Sequence, residues 1–308
     1  MFSLARGLRD VSMTAEKVVA ARLSVFSNTL LVVLKLGVGL WTGSVAILSE
    51  AVHSATDLLA ALIAFFAVRT SDLPPDKEHP YGHGKAESVS GALEALLIFG
   101  AAVFIIVEAV RALRDKEPPR ALGWGIAVMA GSALVNIFVA RYMYGVARRT
   151  DSLALRADAQ HLSIDVWTSL GVVAGLTLVH LTGLAFLDSL VALVIALVII
   201  HAAYHLTRDA VAPLMDSVLP ADEVRAVEDL MRGDRRVLGF HKLRTRKSGS
   251  QRHIDVHIQV NDDLTLREAH ALTEELEDRV RGALPNAEVV IHTEPYEEER
   301  RHHEENPH

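Results

Sequence analysis

The sequence predicts an α-helical polytopic membrane protein with six transmembrane helices and a C-terminal α+β domain of order α-β-β-α-β. Two observations predict this organisation. The first two thirds of the 308-residue chain contain apolar stretches of about 20 residues, the length that crosses a hydrocarbon core of about 30 Å. The last third is rich in charged residues and alternates between helical and strand-like apolar spacing.

The apolar stretches divide the chain into predicted domains. We predict transmembrane helices at 18–41, 44–68, 89–110, 122–147, 155–181 and 186–206. They form a transmembrane domain, 18–208, after an N-terminal segment, 1–17, that we expect to be cytoplasmic. The first stretch is too long for a signal-peptide core, and no small-residue cleavage site follows it, so we expect the N-terminus to be retained.

Basic residues predict the orientation. Lys and Arg are concentrated in the loops on the side of both termini, whereas the other side carries only Arg111, Arg114, Lys116 and Arg120. Because short cytoplasmic loops carry the excess of Lys and Arg, both termini are predicted to be cytoplasmic. The expected location is the cell inner (plasma) membrane.

The region 209–295 is predicted to be a cytoplasmic metal-binding and dimerisation domain. Its predicted elements are a helix at 222–231, strands at 237–246 and 252–260, a helix at 266–284 and a strand at 288–293. Apolar and polar residues alternate in the second strand, so one face should be core, and His253 on the other face should be exposed to solvent. The His- and Glu-rich tail, 296–308, has the composition of a disordered segment.

The most informative pattern is a duplicated motif inside the apolar stretches. His53 precedes Asp57 by four residues, and His161 precedes Asp165 by four. A four-residue step returns to the same face of a helix, so two such helices could supply the two nitrogens and two oxygens of a tetrahedral zinc shell. An ionisable side chain in a membrane costs roughly 2.5 to 3.5 kcal/mol, which favours a functional role.

Acidic residues precede both motifs, and further histidines lie outside the membrane stretches. Glu50 and Asp158 lie one turn before the histidines and are candidates to support the ligands or to line a pore. Asp76, His79 and His83 lie within one short glycine-containing loop. In the C-terminal domain the candidates are His241, His257, His270, His292 and Glu294.

Composition excludes several classes of site. The chain has no cysteine, so it can form neither disulfides nor thiolate metal sites. Its net charge of −7 argues against a nucleic-acid partner. A metal must therefore be held by histidine and carboxylate, a ligand set that suits Zn²⁺ and allows Cd²⁺, Co²⁺, Fe²⁺ or Mn²⁺.

These motifs together resemble a known family. The paired His-x-x-x-Asp helices, the loop Gly82-His83-Gly84-Lys85-Ala86-Glu87, the six spans and the α+β tail are similar to the cation diffusion facilitators, in particular the bacterial zinc-exporting ferrous-iron/zinc efflux type. The resemblance covers about 24–295. It implies a ferredoxin-like, metallochaperone-like fold for the C-terminal domain and assembly as a homodimer.

The resemblance also implies roles for particular residues. The implied transport site, between the second and fifth helices, consists of His53, Asp57, His161 and Asp165. The implied loop site consists of Asp76, His79 and His83. The implied binuclear site near the dimer interface consists of His241, His257, His270, His292 and a bridging Glu294. Lys85 and Asp216 would form a charge pair that ties the membrane and cytoplasmic parts together at the dimer.

These features predict a Zn²⁺/H⁺ antiporter, not an enzyme, that exports zinc by alternating access. The expected partners are Zn²⁺ as cargo and regulator, H⁺, the lipid bilayer and a second copy of the chain. Two alternatives remain: a membrane metal sensor without transport, and an intramembrane zinc hydrolase, whose frequent His-Glu-x-x-His motif is absent. The sequence leaves open the roles of Lys35, Glu94, Glu108, His201 and His205.

Overall fold

The computed structural model describes residues 2–42, 45–115, 123–184 and 186–297. The chain divides into two units, Met1–Val211 and Ala212–His308. Of the predicted tail, 296–308, residues 298–308 lie outside the described residues.

Six long helices make up the first unit. They are α1 (Phe2–Thr42), α2 (Val45–Ser71), α3 (Lys85–Asp115), α4 (Gly123–Thr150), α5 (Leu153–Thr182) and α6 (Phe186–Leu214). Over the described residues, four stretches are long and apolar enough to cross a membrane: Met13–Trp41, Ala51–Ser71, Lys85–Arg111 and Ser189–Leu214. The unit is therefore a helical membrane domain. α4 and α5 contain 28 and 30 residues, and their crossing of the membrane remains a prediction.

Small side chains hold these helices together. α5 packs on α2, α3 and α4, while α1 packs on α2 and α4. The buried cluster shared by α1, α2, α4 and α5 contains more alanine than any other residue, and small residues let helix backbones approach closely in a membrane. A second cluster around Ile98, Ile199 and Leu206 joins α3, α5 and α6. This packing places the two motif-bearing helices, α2 and α5, side by side.

The second unit is a small α+β domain. Its elements are α7 (Ala221–Arg232), β1 (Gly239–Ser248), β2 (Gln251–Val260), α8 (Leu266–Ala283) and β3 (Ala287–Pro295). The predicted order is thus confirmed. α8 begins with a capping box, in which Thr265 and Glu268 bond each other's backbone N–H groups. β1 and β2 are joined through Gly249, whose φ of +59° suits glycine in a tight turn.

The strands form one sheet of order β1-β2-β3, with β1 antiparallel and β3 parallel to β2. Ile254, Val256, Ile258 and Val260 on alternate positions of β2 are buried, and they pack with residues of both α7 and α8. Both helices therefore cover one face of the sheet. The opposite face presents the predicted ligands of β2 and its neighbours.

The prediction that His253 faces solvent is wrong. Its side chain is only 7% exposed, and its Nδ1 lies 3.1 Å from Glu288 Oε2 on β3. His253 pairs with Glu288 in the β2–β3 register, so the neighbouring strand covers it. Burial lowers the pKa of His253, which favours the neutral imidazole.

Candidate metal sites

The two His-x-x-x-Asp motifs face each other on α2 and α5. His161 Nε2 lies 3.2 Å from Asp57 Oδ1, and His53 Nε2 lies 3.7 Å from Asp165 Oδ1. Residue numbers rise along one helix and fall along the other across these pairs, so α2 and α5 are antiparallel here. Each histidine therefore contacts the aspartate of the opposite helix.

Two contacts in this quartet have the spacing of ligands around a tetrahedral ion, and the group of mutually close ligand atoms contains three of its residues, without His161. Two ligand atoms that are each about 2.0 Å from a zinc ion lie roughly 3.3 Å apart at the tetrahedral angle. The two observed contacts bracket that value. Ligand atoms of His53, Asp57 and Asp165 all lie within 4.8 Å of one another. The Oδ2 atom of Asp165 is buried and has no hydrogen-bond partner among the described residues.

Exposure falls sharply from one end of the quartet to the other. The His53 side chain is 47% exposed, whereas those of Asp57 and His161 are 6% and 9% exposed. The buried pair lies nearer the end of α2 at Ser71 and the start of α5. The quartet is therefore most deeply buried on the side that lies toward Ser71.

The structure describes one of the two acidic residues that precede the motifs. Asp158 is buried, with Ser24 of α1 near its carboxylate. The side chain of Glu50 lies outside the described residues. Support of the ligands by these two carboxylates remains a prediction.

The five polar residues of the membrane unit whose roles the sequence leaves open each contact another polar side chain. Their described contacts are Lys35 Nζ with Ser54 Oγ at 2.8 Å, Glu94 with Ser90 Oγ at 3.3 Å, Glu108 with Arg111 at 3.5 Å, and the His201 ring with the His205 ring at 4.5 Å between centroids. The two histidines are exposed on α6.

The loop between α2 and α3 gathers a second group. His79 Nδ1 and His83 Nε2 each lie 3.4 Å from an oxygen of Asp76. The backbone N–H groups of His79 and Glu78 donate to Asp76 Oδ1, which holds the pKa of this carboxyl below its usual value. Gly82, with φ +77°, supplies the left-handed turn that brings His83 back to the loop. These three side chains could hold one ion.

The third group lies on the open face of the sheet. The strand register places His241, His257 and His292 in one row across β1, β2 and β3. Glu294, two residues further along β3, reaches back to this row. Its Oε1 lies 2.6 Å from His257 Nδ1, and its Oε2 lies 3.0 Å from His241 Nε2. One carboxylate thus contacts two imidazoles with separate oxygens.

Neighbouring charges change the pKa of Glu294 in this third group, and an irregularity in β1 lies next to His241. Burial alone would raise the pKa of Glu294, but the hydrogen bond from His257 and the charge of His241 lower it below its usual value. The β1–β2 register shifts just after His241, where Lys242 has φ +49°. Bulges of this kind re-aim neighbouring side chains and are common beside functional sites.

Two predicted ligands lie less close to this group. His292 Nε2 is 3.7 Å from Glu294 Oε1, and its side chain is exposed. His270 lies on α8, where its described partner is Glu274, 3.6 Å away. The predicted pair of Lys85 and Asp216 spans the two units and remains a prediction; within its own unit Asp216 Oδ1 lies 3.4 Å from Arg246.

The helix ends carry a polar network that the sequence analysis does not predict. Glu87 is fully buried and contacts Lys17, which is also buried. The only signal in the sequence was the position of Glu87 at the end of the glycine-rich loop motif. Its partners are too distant in sequence for a local pattern to show them.

Family models match both units. The cation efflux transmembrane domain matches residues 21–215, and the cytoplasmic domain of cation efflux proteins matches residues 219–296.

Relatives match over most of the chain. An uncharacterized transporter of Synechocystis sp. is 38% identical over 86% of this chain and 86% of its own. The cation-efflux pump FieF of Cronobacter sakazakii is 36% identical over 90% of this chain and 92% of its own. A structure of the zinc form of CzrB is 35% identical, covers 26% of this chain and 93% of its own, and has a TM-score of 0.24, too low to carry a structural argument.

The matched relatives are transporters, not enzymes. Together with the two matched domains, they establish that this chain belongs to the cation efflux family of membrane transporters.

Proposed function

We propose that this protein is a Zn²⁺/H⁺ antiporter that exports zinc from the cytoplasm through the quartet His53, Asp57, His161 and Asp165. The observation that carries this proposal is the reciprocal contact of each histidine with the aspartate of the opposite helix. The proposal includes six membrane crossings, cytoplasmic termini and an inner-membrane location.

Ligand chemistry supports zinc as cargo. Two imidazoles and two carboxylates match the tetrahedral shells that zinc forms in proteins. Imidazole favours zinc, whereas sets with more carboxylate suit harder ions such as Mn²⁺. Cd²⁺, Co²⁺ and Fe²⁺ are the next candidates because they accept mixed nitrogen and oxygen ligands.

The same ligands explain why protons should move in exchange. Zinc binds neutral imidazole and ionised carboxylate, so loading requires the quartet to lose protons. In a state open to the cytoplasm the quartet exchanges protons for zinc. In a state open to the other side protons displace the ion, and the protonated quartet returns.

The loop and sheet groups are proposed as regulatory sites rather than cargo sites. The sheet group lies on the face that α7 and α8 leave uncovered, where a second copy of the chain could approach and share ions. Zinc bound there would shift the equilibrium toward the state that binds it better. In this scheme the protein acts as a homodimer.

Zinc flux in proteoliposomes tests the transport site. We expect His53→Ala, Asp57→Ala, His161→Ala and Asp165→Ala each to lower zinc flux at least a hundredfold, because each removes one of four ligands. Each variant should still insert and elute from a sizing column like the parent.

The His201 and His205 pair provides a matched control. These residues have the same four-residue spacing on a membrane helix, but they lie outside the quartet. His201→Ala should keep flux within twofold of the parent. Near-normal flux in two quartet variants would refute the assignment, and zinc binding without flux in the parent would identify a sensor.

A further inference from the structure

Glu87 is the hub of a buried polar network that joins four helices. Its side chain is fully buried at the first turn of α3. Oε1 accepts from Lys17 Nζ of α1 at 3.2 Å and from Ser71 Oγ at the end of α2 at 3.1 Å. Oε2 accepts from Ser152 Oγ at 2.7 Å and from the backbone N–H of Ala154 at 3.4 Å, at the start of α5.

Lys17 reinforces the network from α1. Its side chain is 3% exposed, and its ammonium group donates to Asp72 Oδ1 at 2.9 Å as well as to Glu87. One buried ammonium therefore bridges the carboxylates at the two ends of the α2–α3 loop. Charge-assisted hydrogen bonds such as these are about twice as strong as neutral ones.

The network lies on the helices that carry the quartet. Ser71 follows Asp57 by fourteen residues on α2, about 21 Å along the axis, and Ser152 precedes His161 by nine residues, about 14 Å. Glu87 bonds both serines at once, so it fixes the separation of α2 and α5 at this end. The reciprocal contacts of the quartet depend on the same separation.

Accessibility of the quartet fits a closed end at Glu87. Asp57 and His161, the pair nearer to Glu87, are buried, whereas His53 at the far side is half exposed. The network and the burial gradient point the same way: the helices are joined at the end where the quartet is closed.

We propose that Lys17, Ser71, Glu87 and Ser152 form a latch that closes one end of the path to the quartet, with Glu87 as its positioning residue. In the proposed orientation this is the cytoplasmic end, so release of the latch is the step that admits zinc. The role of the latch in transport rests on the proposed function, whereas the closure itself does not.

The absence of cysteine from the chain allows a direct test. Ala64 is fully buried on α2, two turns from both Asp57 and Ser71 on the same face of the helix. A single Ala64→Cys substitution would report whether that face becomes accessible. The measurement is the rate of labelling by a membrane-impermeant maleimide, in vesicles with the cytoplasmic face outward.

We expect Glu87→Ala to speed labelling of the Ala64→Cys variant at least tenfold and to lower the maximal zinc flux at least tenfold. Zinc bound per protomer at saturation should stay unchanged, because the quartet ligands remain. Glu87→Gln should give intermediate labelling, since it keeps an acceptor but loses the charge opposite Lys17. A merely structural role would lower zinc binding and flux together.

Glu16 offers a matched control. It neighbours Lys17 on α1 and forms an exposed ion pair with Arg149 of α4, so Glu16→Gln should leave labelling within twofold of the parent. Unchanged labelling in a folded Glu87→Ala variant would overturn the latch.

Two milder variants keep the test decisive if Glu87→Ala does not accumulate. Lys17→Met and Ser152→Ala each remove one donor, and each should speed labelling at least threefold. Parent-like labelling in both would overturn the latch. Faster labelling alongside normal flux in the quartet variants would instead refute the transport site and leave the closure standing.

Discussion

At the scale of single residues, Asp234 shows how one carboxylate stabilises the C-terminal domain. It lies between α7 and β1 with its side chain 8% exposed. Arg236 donates to both of its oxygens, at 2.9 and 2.7 Å, and Arg279 of α8 donates to Oδ2 at 2.9 Å. These bonds and charges hold the pKa of Asp234 far below its usual value.

A depressed pKa predicts a pH-dependent contribution to stability. The unfolded pKa of Asp is about 3.9, so the contribution is fully present above about pH 5 and is lost as the pH falls toward the lower folded value. At pH 7 we expect Asp234→Asn to lower the free energy of unfolding of the fragment 212–297 by about 1.5 to 3 kcal/mol.

Urea titrations at a series of pH values measure this difference. The gap between parent and Asp234→Asn should shrink below about pH 4. Asp278→Asn is the control: its exposed pair with Arg281 should be worth about 0.5 kcal/mol or less at any pH. A gap that stays constant down to pH 2 would contradict the role of the charge.

The sequence indicates a joint role for some side chains and not for others, and the difference has a physical reason. His53 and Asp57 share a helix face whatever else the fold does, so their spacing alone indicates a joint role. Lys17 and Glu87 are separated by 70 residues, and only tertiary packing brings them together. The prediction for His253 fails because strand alternation does not show which side chains of a neighbouring strand cover a position.

At the scale of elements, the sheet register creates the third metal group. The parallel pairing of β2 and β3 aligns His257 with His292, and the antiparallel pairing of β1 aligns His241 with His257. The strand patterns predict each strand, but its partner and register depend on the whole domain. Dispersed histidines therefore become one row only after folding.

This row predicts a stabilising effect of zinc. The fragment 212–297 has its own apolar core, and we expect it to fold alone as a soluble homodimer. A ligand that binds only the folded state at a hundred times its Kd adds about 2.7 kcal/mol. We expect zinc to raise the Tm of the fragment, and His257→Ala with His292→Ala to remove most of that rise.

Calorimetry with and without zinc checks this expectation. His253→Gln is the control, because this buried histidine pairs with Glu288 rather than with the row; it should lower the starting Tm but keep the zinc-dependent rise. If the full-length double variant lost all zinc flux while its quartet was intact, the regulatory interpretation would be contradicted.

At the scale of the whole molecule, metal and protons are expected to compete across the membrane. Histidine titrates near pH 6.5, and bound metal excludes the proton from the same nitrogen. We expect zinc affinity at the quartet to fall as the pH drops from about 7.5 to 5.5. An imposed proton gradient should drive zinc in the opposite direction.

Stopped-flow measurements of zinc flux in vesicles with and without a pH gradient check this coupling. The double variant His201→Ala and His205→Ala should respond to the gradient as the parent does, because these histidines lie outside the quartet. Flux that is indifferent to both pH and gradient would indicate a channel or a uniporter.

The division into a helical membrane part and an α+β domain was predictable because it depends on composition and periodicity along the chain. All six helices were expected from apolar length. In the structure each of these helices contains at least 27 residues.

The reciprocal pairing on antiparallel helices has a mechanical consequence. If α5 slid along α2, both contacts, His53 with Asp165 and His161 with Asp57, would stretch in the same step. An ion bound by all four residues would therefore resist sliding of α5 along α2, whereas an empty quartet would allow it. Binding or loss of the ion would then control whether the two packed helices can slide past each other.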